Sequence, residues 1–276
     1  MNTRDEIARA NRQMWEAEVT KGCGFTTPWL DLDISLLRRY ARGEIDSLPE
    51  PLTSLSPSWV LADVEDKDVL CLASGGGQQS AVFGLLRAKV TVADLAAGQL
   101  AGDRQAASRY GYRVDVLQAD MRNLSCIRDE SFDLVYQADS FAYIPDVRQV
   151  YCEVGRVLKT GGLYRAKHSQ PAVHFVCWDG ARYSVTTPYT ENVDRREDGG
   201  IEFRHYLDDI FGGLGDAALE LEEVVDVGRH MKPDPTAAPG SWAHQERYVG
   251  GGFVIVARKR AAPISRVAPP SQDNKD

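Results

Sequence analysis

The stretch that decides the fold is Asp68–Ser80, DVLCLASGGGQQS. Val69-Leu70-Cys71-Leu72 has the length and composition of a strand buried on both faces. It breaks into Ser74-Gly75-Gly76-Gly77, and a helical pattern opens at Gln78. Strand, glycine turn and helix N-terminus follow one another within thirteen residues. Glycine suits such a turn because it accepts positive φ and has no Cβ, so a ligand can lie against the backbone.

Downstream the same unit recurs. Strands are expected at 68–73, 89–94, 112–117, 131–137 and 163–168, and helices at 78–87, 97–110 and 146–159, with Gly161-Gly162 turning the chain into the fifth strand. Strands separated by helices imply a parallel sheet covered on both faces, and right-handed crossovers make it doubly wound. Leu219–Val227 and Gly252–Arg258 read as two closing strands. The fold class is therefore α/β, a Rossmann-like doubly wound sheet, mostly parallel with an antiparallel closing strand.

Upstream, residues 3–20 read as a helix, Ile34, Leu37 and Tyr40 mark a second, and 46–58 form a proline-bearing loop. Residues 1–65 are too few for a core of their own and read as an N-terminal helical cap on a domain spanning 66–260. After 170 the rhythm is lost. The aromatic segment 171–200 reads as an insertion covering a substrate. Residues 202–219 read as a helix, 229–250 as a long loop and 261–276 as a disordered polar tail.

Composition excludes other classes. With 43% hydrophobic and 26% charged residues the chain is an ordinary globular protein, and a net charge of −8 argues against a nucleic-acid partner. The apolar runs are strand-length, so no membrane span is expected, and MNTRDEIARANRQ has no apolar signal core. Five scattered cysteines without a CxxC pair suit a reduced, cytoplasmic protein. None of the five histidines is spaced as a metal pair, and no metal is expected.

Four features fall at strand C-termini, where open α/β sheets bind ligands: the Ser74–Gly77 turn, Asp94, Asp120-Met121, and Gln137–Tyr143. A carboxylate at the second strand end can accept from both hydroxyls of a ribose. Asp120 can accept from an adenine amino group while Met121 packs on the ring. Singly, each acidic residue is also a helix or turn cap. Together, in order and at this spacing, they describe a nucleoside site.

These residues carry a family resemblance. VLCLASGGG, VTVADLA, DVLQADMRNL, SFDLVYQADSFAYIPD and RVLKTGGLY resemble the successive motifs of class I S-adenosylmethionine-dependent methyltransferases of the type 11 small-molecule group, over about residues 60–168. The resemblance implies S-adenosylmethionine as cofactor. It implies that Ala73, Gly75 and Gly77 line the methionine portion, that Asp94 takes the ribose, Asp120 the adenine amine and Met121 the ring, with Gln137 near the methionine moiety or the sulfonium and Ser74 and Leu95 as further cofactor contacts. Trp15 and Trp29 either close over the cofactor or pack in the core. Two departures stand out: Cys71 occupies the position of the motif's acidic residue, and Ala73 that of its first glycine.

The implied reaction is methyl transfer by in-line displacement to N or O of a small metabolite, natural product or short peptide. On the acceptor side stand Asp139, Ser140, Phe141 and Tyr143. Tyr143 and His168 are the catalytic candidates, His168 because it ends the fifth strand and should point at the pocket mouth. His244, beside Trp242, is a further substrate contact, and His205 is expected on a helix. Two alternatives remain open: a non-catalytic cofactor-binding module, and an NAD-linked oxidoreductase, since Gly75–Ser80 nearly fits G-x-G-x-x-G.

Overall fold

In the computed structural model, which describes residues 3–73, 75–230 and 234–261, the decisive stretch forms β1 (Asp68–Leu72) and α3 (Gln79–Leu85). Two helices precede it, α1 (Thr3–Lys21) and α2 (Ile34–Ala41). After α3 come β2 (Lys89–Asp94), α4 (Ala97–Tyr110), β3 (Val114–Gln118), β4 (Phe132–Gln137), α5 (Val147–Val157) and β5 (Leu158–Ser169). Four short strands follow, β6 (Val176–Trp178), β7 (Tyr183–Val185), β8 (Val193–Arg195) and β9 (Ile201–Phe203). The chain closes through α6 (Gly213–Asp216), β10 (Leu219–Asp226), α7 (Val227–His230), α8 (Trp242–Val249) and β11 (Gly252–Lys259).

The seven-stranded sheet has the order β10-β11-β5-β4-β1-β2-β3. Strands β1 to β5 pair in parallel, and β11 runs antiparallel to both β5 and β10. The order reverses at β1, whose neighbours are β2 and β4, so the crevice at a topological switch point opens beyond Leu72 and Gln137.

Both faces of β1 are buried, which is why its sequence shows no alternation. Leu70 and Leu72 join Val147, Val150, Tyr151 and Val154 of α5, together with Tyr164. Val69 and Cys71 face the other way, into a cluster with Leu37 and Tyr40 of α2, Leu52, Leu55, and Val82 and Phe83 of α3. The N-terminal segment thus shares a core with the sheet. Arg165 of β5 fastens it further. That side chain, 1% exposed, donates to Ser54 O (2.6 Å) and Ser56 O (2.9 Å) of the proline loop. Its guanidinium lies 4.4 Å from the centroid of the Tyr136 ring.

Several expectations are corrected. Residues 202–219 are not one helix. Ile201–Phe203 pairs with Val193–Arg195 as a hairpin, and only a π-type turn at Asp208–Gly212 and the single turn of α6 are helical. Ile201 and Phe203 bury their side chains through that pairing, and Gly212, Gly213 and Gly215 weaken any longer helix. Residues 229–250 are not all loop, because Ser241 accepts from His244 N and caps α8. Strand β5 starts at Leu158 and absorbs Gly161-Gly162, with its pairing to β4 shifting between Phe132 and Leu134. The expected tail lies outside the described residues beyond Ala261.

Candidate active site

The glycine turn closes β1 as its motif demands. Gly75, Gly76 and Gly77 have φ of +76°, +71° and +84°. Ala73 also has positive φ, +47°, a conformation that costs an alanine about 1 kcal/mol. Ser74 lies outside the described residues. Space as well as φ requires glycine: a Cβ at Gly77 would sit 2.4 Å from Gly102 O, and one at Gly76 would sit 2.8 Å from Thr26 O.

The carboxylate beneath the turn comes from α4. Asp103 Oδ1 accepts from Gly77 N (2.9 Å) and from the Ser80 hydroxyl (2.5 Å). Burial pushes the Asp103 carboxyl up to about 6, against the pull of these bonds. Cys71 is fully buried nearby, its thiol pushed well up by desolvation. The strand position that is acidic in the resembling motif is therefore apolar here, and an acidic group stands one helix away. Ser80, in the last place of the near fit to G-x-G-x-x-G, is also buried inside α3 and bonded to Asp103.

Residues 24–29 lie across the turn as a strap. Gln78 Nε2 donates to Gly24 O (2.7 Å) and Thr27 O (3.0 Å), and Trp29 N donates to Gly77 O (3.3 Å). Two buried acceptors at the turn, Gln79 Oε1 and Gln99 Oε1, have no hydrogen-bond partner among the described residues. Buried carbonyl oxygens without donors are costly unless a ligand supplies them. An α-ammonium group beside the glycine turn supplies such donors, so the residues present fit the methionine end of S-adenosylmethionine.

Asp94, 9% exposed, ends β2 and accepts from Ala96 N (2.9 Å), which fixes its carboxylate at the crevice edge. Leu95 follows, partly buried, its carbonyl accepting from Gln118 Nε2 (3.1 Å). Glu16 of α1 accepts from Ala97 N (2.7 Å) and so caps α4, whose own cap residue, Ala96, has no side chain for the task. Nothing in the local sequence of either helix announces that cap.

Asp120 is held in a fork. Arg122 donates to it from its backbone N (3.0 Å), Nε (2.9 Å) and Nη2 (2.5 Å). An adenine amine reaching Asp120 would share it with this guanidinium. Met121 Sδ lies 3.4 Å from Gln137 Nε2. Gln137 itself is wholly buried: Tyr164 donates to its Oε1 (2.5 Å), and its Nε2 donates to the Ser140 hydroxyl (3.0 Å). It sits under the crevice floor, positioning Met121 and Ser140.

On the acceptor side, Tyr143 stacks edge-on against Trp15 of α1, with centroids 5.4 Å apart. Burial raises the Tyr143 phenol above its ordinary value, so it is a proton donor at neutral pH. Asn11, 2% exposed, donates to Tyr143 O (2.9 Å) and Ile201 O (3.0 Å) and accepts from Ile201 N (2.7 Å). One side chain thereby joins α1, the turn after β4, and β9 into a roof.

His168 borders a small cavity but is itself closed off from solvent. It is 1% exposed, stacked 3.9 Å from Phe141 and 5.4 Å from Phe253, with Tyr151 OH 2.9 Å from its Nε2. Strand β5 runs on to Ser169, and β11 pairs alongside it, which brings Phe253 against the imidazole. Desolvation holds His168 well below the ordinary imidazole value. Phe141, 1% exposed, forms the other half of that stack. His244 is bound within the cover, its Nδ1 2.8 Å from Tyr183 OH and its ring against Trp178 and Tyr248. His205 is not on a helix. Its Nε2 donates to Phe141 O (2.8 Å), which leaves the lone pair on Nδ1, and burial lowers its pKa. His205 and His174 line a small cavity with Phe141, Ser169 and Phe203.

Known proteins resemble this chain in sequence and fold. A family model described as "Methyltransferase domain" matches residues 70–166. The uncharacterized methyltransferase YbaJ of Bacillus subtilis is 28% identical over 223 residues, covering 76% of this chain and 86% of that protein. A ubiquinone biosynthesis O-methyltransferase of Nitrosococcus oceani is 27% identical over 126 residues, 45% of this chain and 53% of that one. In fold, the chain superposes on an S-adenosylmethionine-dependent methyltransferase from Mesorhizobium loti with a TM-score of 0.60 at 21% identity, over 84% of this chain and 100% of that one. The matched domain, these relatives and the shared fold support a class I S-adenosylmethionine-dependent methyltransferase. Among the described residues no group of His, Cys, Asp and Glu could hold a metal ion, and no helix is long and apolar enough to cross a membrane.

Proposed function

We propose that the protein methylates N or O of a small acceptor, a metabolite, natural product or short peptide, held between the ends of β4 and β5 and the cover formed by residues 171–206. The observation that carries this reading is the roof made by Asn11. A crevice bridged by hydrogen bonds from α1 to β9 suits a small enclosed acceptor better than a folded macromolecule.

Bound S-adenosylmethionine supplies a methyl group on a sulfonium leaving group. Gly75 and Gly77 with Ala73 line its methionine end, where Gln79 and Gln99 receive the ammonium. Asp94 and Leu95 hold the ribose, and the outer face of Asp120 with Met121 holds the adenine. The acceptor is aligned by Ser140 and by the Tyr143 phenol, which donates a hydrogen bond. His205 Nδ1 takes the proton from an acceptor that is protonated at working pH. His168 and Phe141 form the rigid floor behind it. Water is excluded by the strap and the roof.

The acidic total charge supports an acceptor other than nucleic acid, and five unpaired cysteines support a reducing, cytoplasmic setting. Residues 1–65 act as a cap on a domain spanning 66–260. The test is calorimetric titration with S-adenosylhomocysteine, with NADH as control, followed by a mass-spectrometric screen for acceptors gaining one methyl. Micromolar binding of S-adenosylhomocysteine alone and a methylated small molecule are expected. Binding without transfer to any acceptor would turn the assignment toward a non-catalytic module.

A further inference from the structure

Arg204, immediately after β9, is 7% exposed, yet its Nε and Nη1 have no hydrogen-bond partner among the described residues. No carboxylate is paired with it among those residues. The nearby Asp139 is taken by Lys167 (3.3 Å) and by the Ser169 hydroxyl (3.3 Å). The guanidinium carbon lies 4.5 Å from the Phe175 ring centroid. Phe175 in turn stacks on Tyr189 at 5.1 Å and 14°.

A guanidinium is charged at every working pH, and burying it with donors unpaired is among the more costly arrangements a fold can hold. The main chain is satisfied, Arg204 N bonding Asn192 O (2.9 Å), while Nε and Nη1 of the side chain have no hydrogen-bond partner among the described residues. Its position is informative. It flanks His205, which lines the cavity at the ends of β4 and β5, and acts electrostatically on His174 of the same cavity wall. The glycine turn and its unpaired glutamine oxygens belong to β1, α3 and α4 instead.

Resting on the methyltransferase reading above, we propose that the methyl acceptor carries an oxyanion, a carboxylate or phosphate, received by Arg204, with an apolar or aromatic body laid against Phe175 and Tyr189. The anion completes the hydrogen bonding of the guanidinium and fixes which end of the acceptor faces the methyl group. Phe175 and Tyr189 are legible in the sequence only as part of an aromatic insertion, and Arg204 has no motif at all.

The experiment uses the full chain. Binding of S-adenosylhomocysteine is measured first, because its absence would refute the methyltransferase reading rather than this one. Benzoate, phenyl phosphate and neutral benzamide are then titrated into the S-adenosylhomocysteine complex. The arginine Nε–H resonances are followed by NMR, with Arg204 assigned from the R204K spectrum. Saturable movement of the Arg204 resonance by an anion is expected, with benzamide about 10- to 100-fold weaker. R204Q should abolish that preference and leave S-adenosylhomocysteine affinity unchanged. R204K should keep part of the preference, and it carries the test should R204Q not fold. Equal binding of benzamide and benzoate would overturn the proposal. So would anion binding that competes with S-adenosylhomocysteine, which would assign the guanidinium to the carboxylate of the cofactor.

Discussion

Gly77→Ala probes the contact on which the cofactor turn depends. The new Cβ would meet Gly102 O at 2.4 Å and Gly102 C at 2.7 Å, both backbone atoms of α4 that cannot rotate away. Its φ of +84° adds left-handed strain of about 1–2 kcal/mol, and overpacking against α4 adds roughly 1–3 kcal/mol. The expected loss is about 2–5 kcal/mol, a large share of the ~5–15 kcal/mol that holds a domain folded. Gly111→Ala is the control. Gly111 has a similar φ of +76° at the end of α4 but nothing within 4 Å of its would-be Cβ, so it carries the strain term alone. Urea unfolding of both variants separates strain from contact. The same displacement of α4 moves Asp103 and Gln99, so S-adenosylhomocysteine affinity in calorimetry should fall at least about tenfold for Gly77→Ala, roughly 1.4 kcal/mol, and stay within about twofold for Gly111→Ala. Equal stabilities and equal affinities for the two variants would refute the packing argument.

Asp94→Ala should weaken S-adenosylhomocysteine by at least about tenfold, since charge-assisted hydrogen bonds to a ribose are lost, and loss of its bond to Ala96 N should lower stability by at least about 1 kcal/mol. Unchanged affinity would remove Asp94 from the site. Asp103 gives a pH prediction. Its folded carboxyl, at about 6, lies above the ordinary 3.8, so its contribution to stability is full below that ordinary value and fades as pH rises through 6. Asp103→Asn should flatten the fall in unfolding free energy between pH 4 and about 6, a difference of roughly 3 kcal/mol. A pH profile identical to wild type would contradict a buried, raised Asp103. Asn11→Ala leaves Ile201 N without its acceptor and should cost about 1–3 kcal/mol. Hydrogen exchange should quicken at 141–143 and 199–203 and acceptor KM should rise; unchanged exchange there would show that the roof does not depend on Asn11.

The α/β core was legible because its signals are local. Apolar runs of strand length, glycines where φ must be positive, and Asp94 and Asp120 at strand ends all report on backbone geometry within a few residues. The same locality misled at 202–219, where pairing of Ile201–Phe203 with a hairpin partner outweighed helical spacing. At His168 the strand end does border a cavity, but its burial between Phe141 and Phe253 comes from distant segments and was not legible.

By itself, then, the sequence determined the doubly wound sheet, the glycine turn and the acidic residues at the strand ends, since these are dictated by steric limits on φ and by the burial period of each strand. Only the tertiary structure decided which distant groups meet. Asp103 lies under Gly77, Glu16 caps α4, Asn11 clamps β9, and Arg204 lies buried against Phe175 without a hydrogen-bond partner for Nε or Nη1 among the described residues. Those contacts join residues 26 to 190 positions apart. Their energies depend on desolvation and on exact partners, and no pattern of spacing along the chain encodes either.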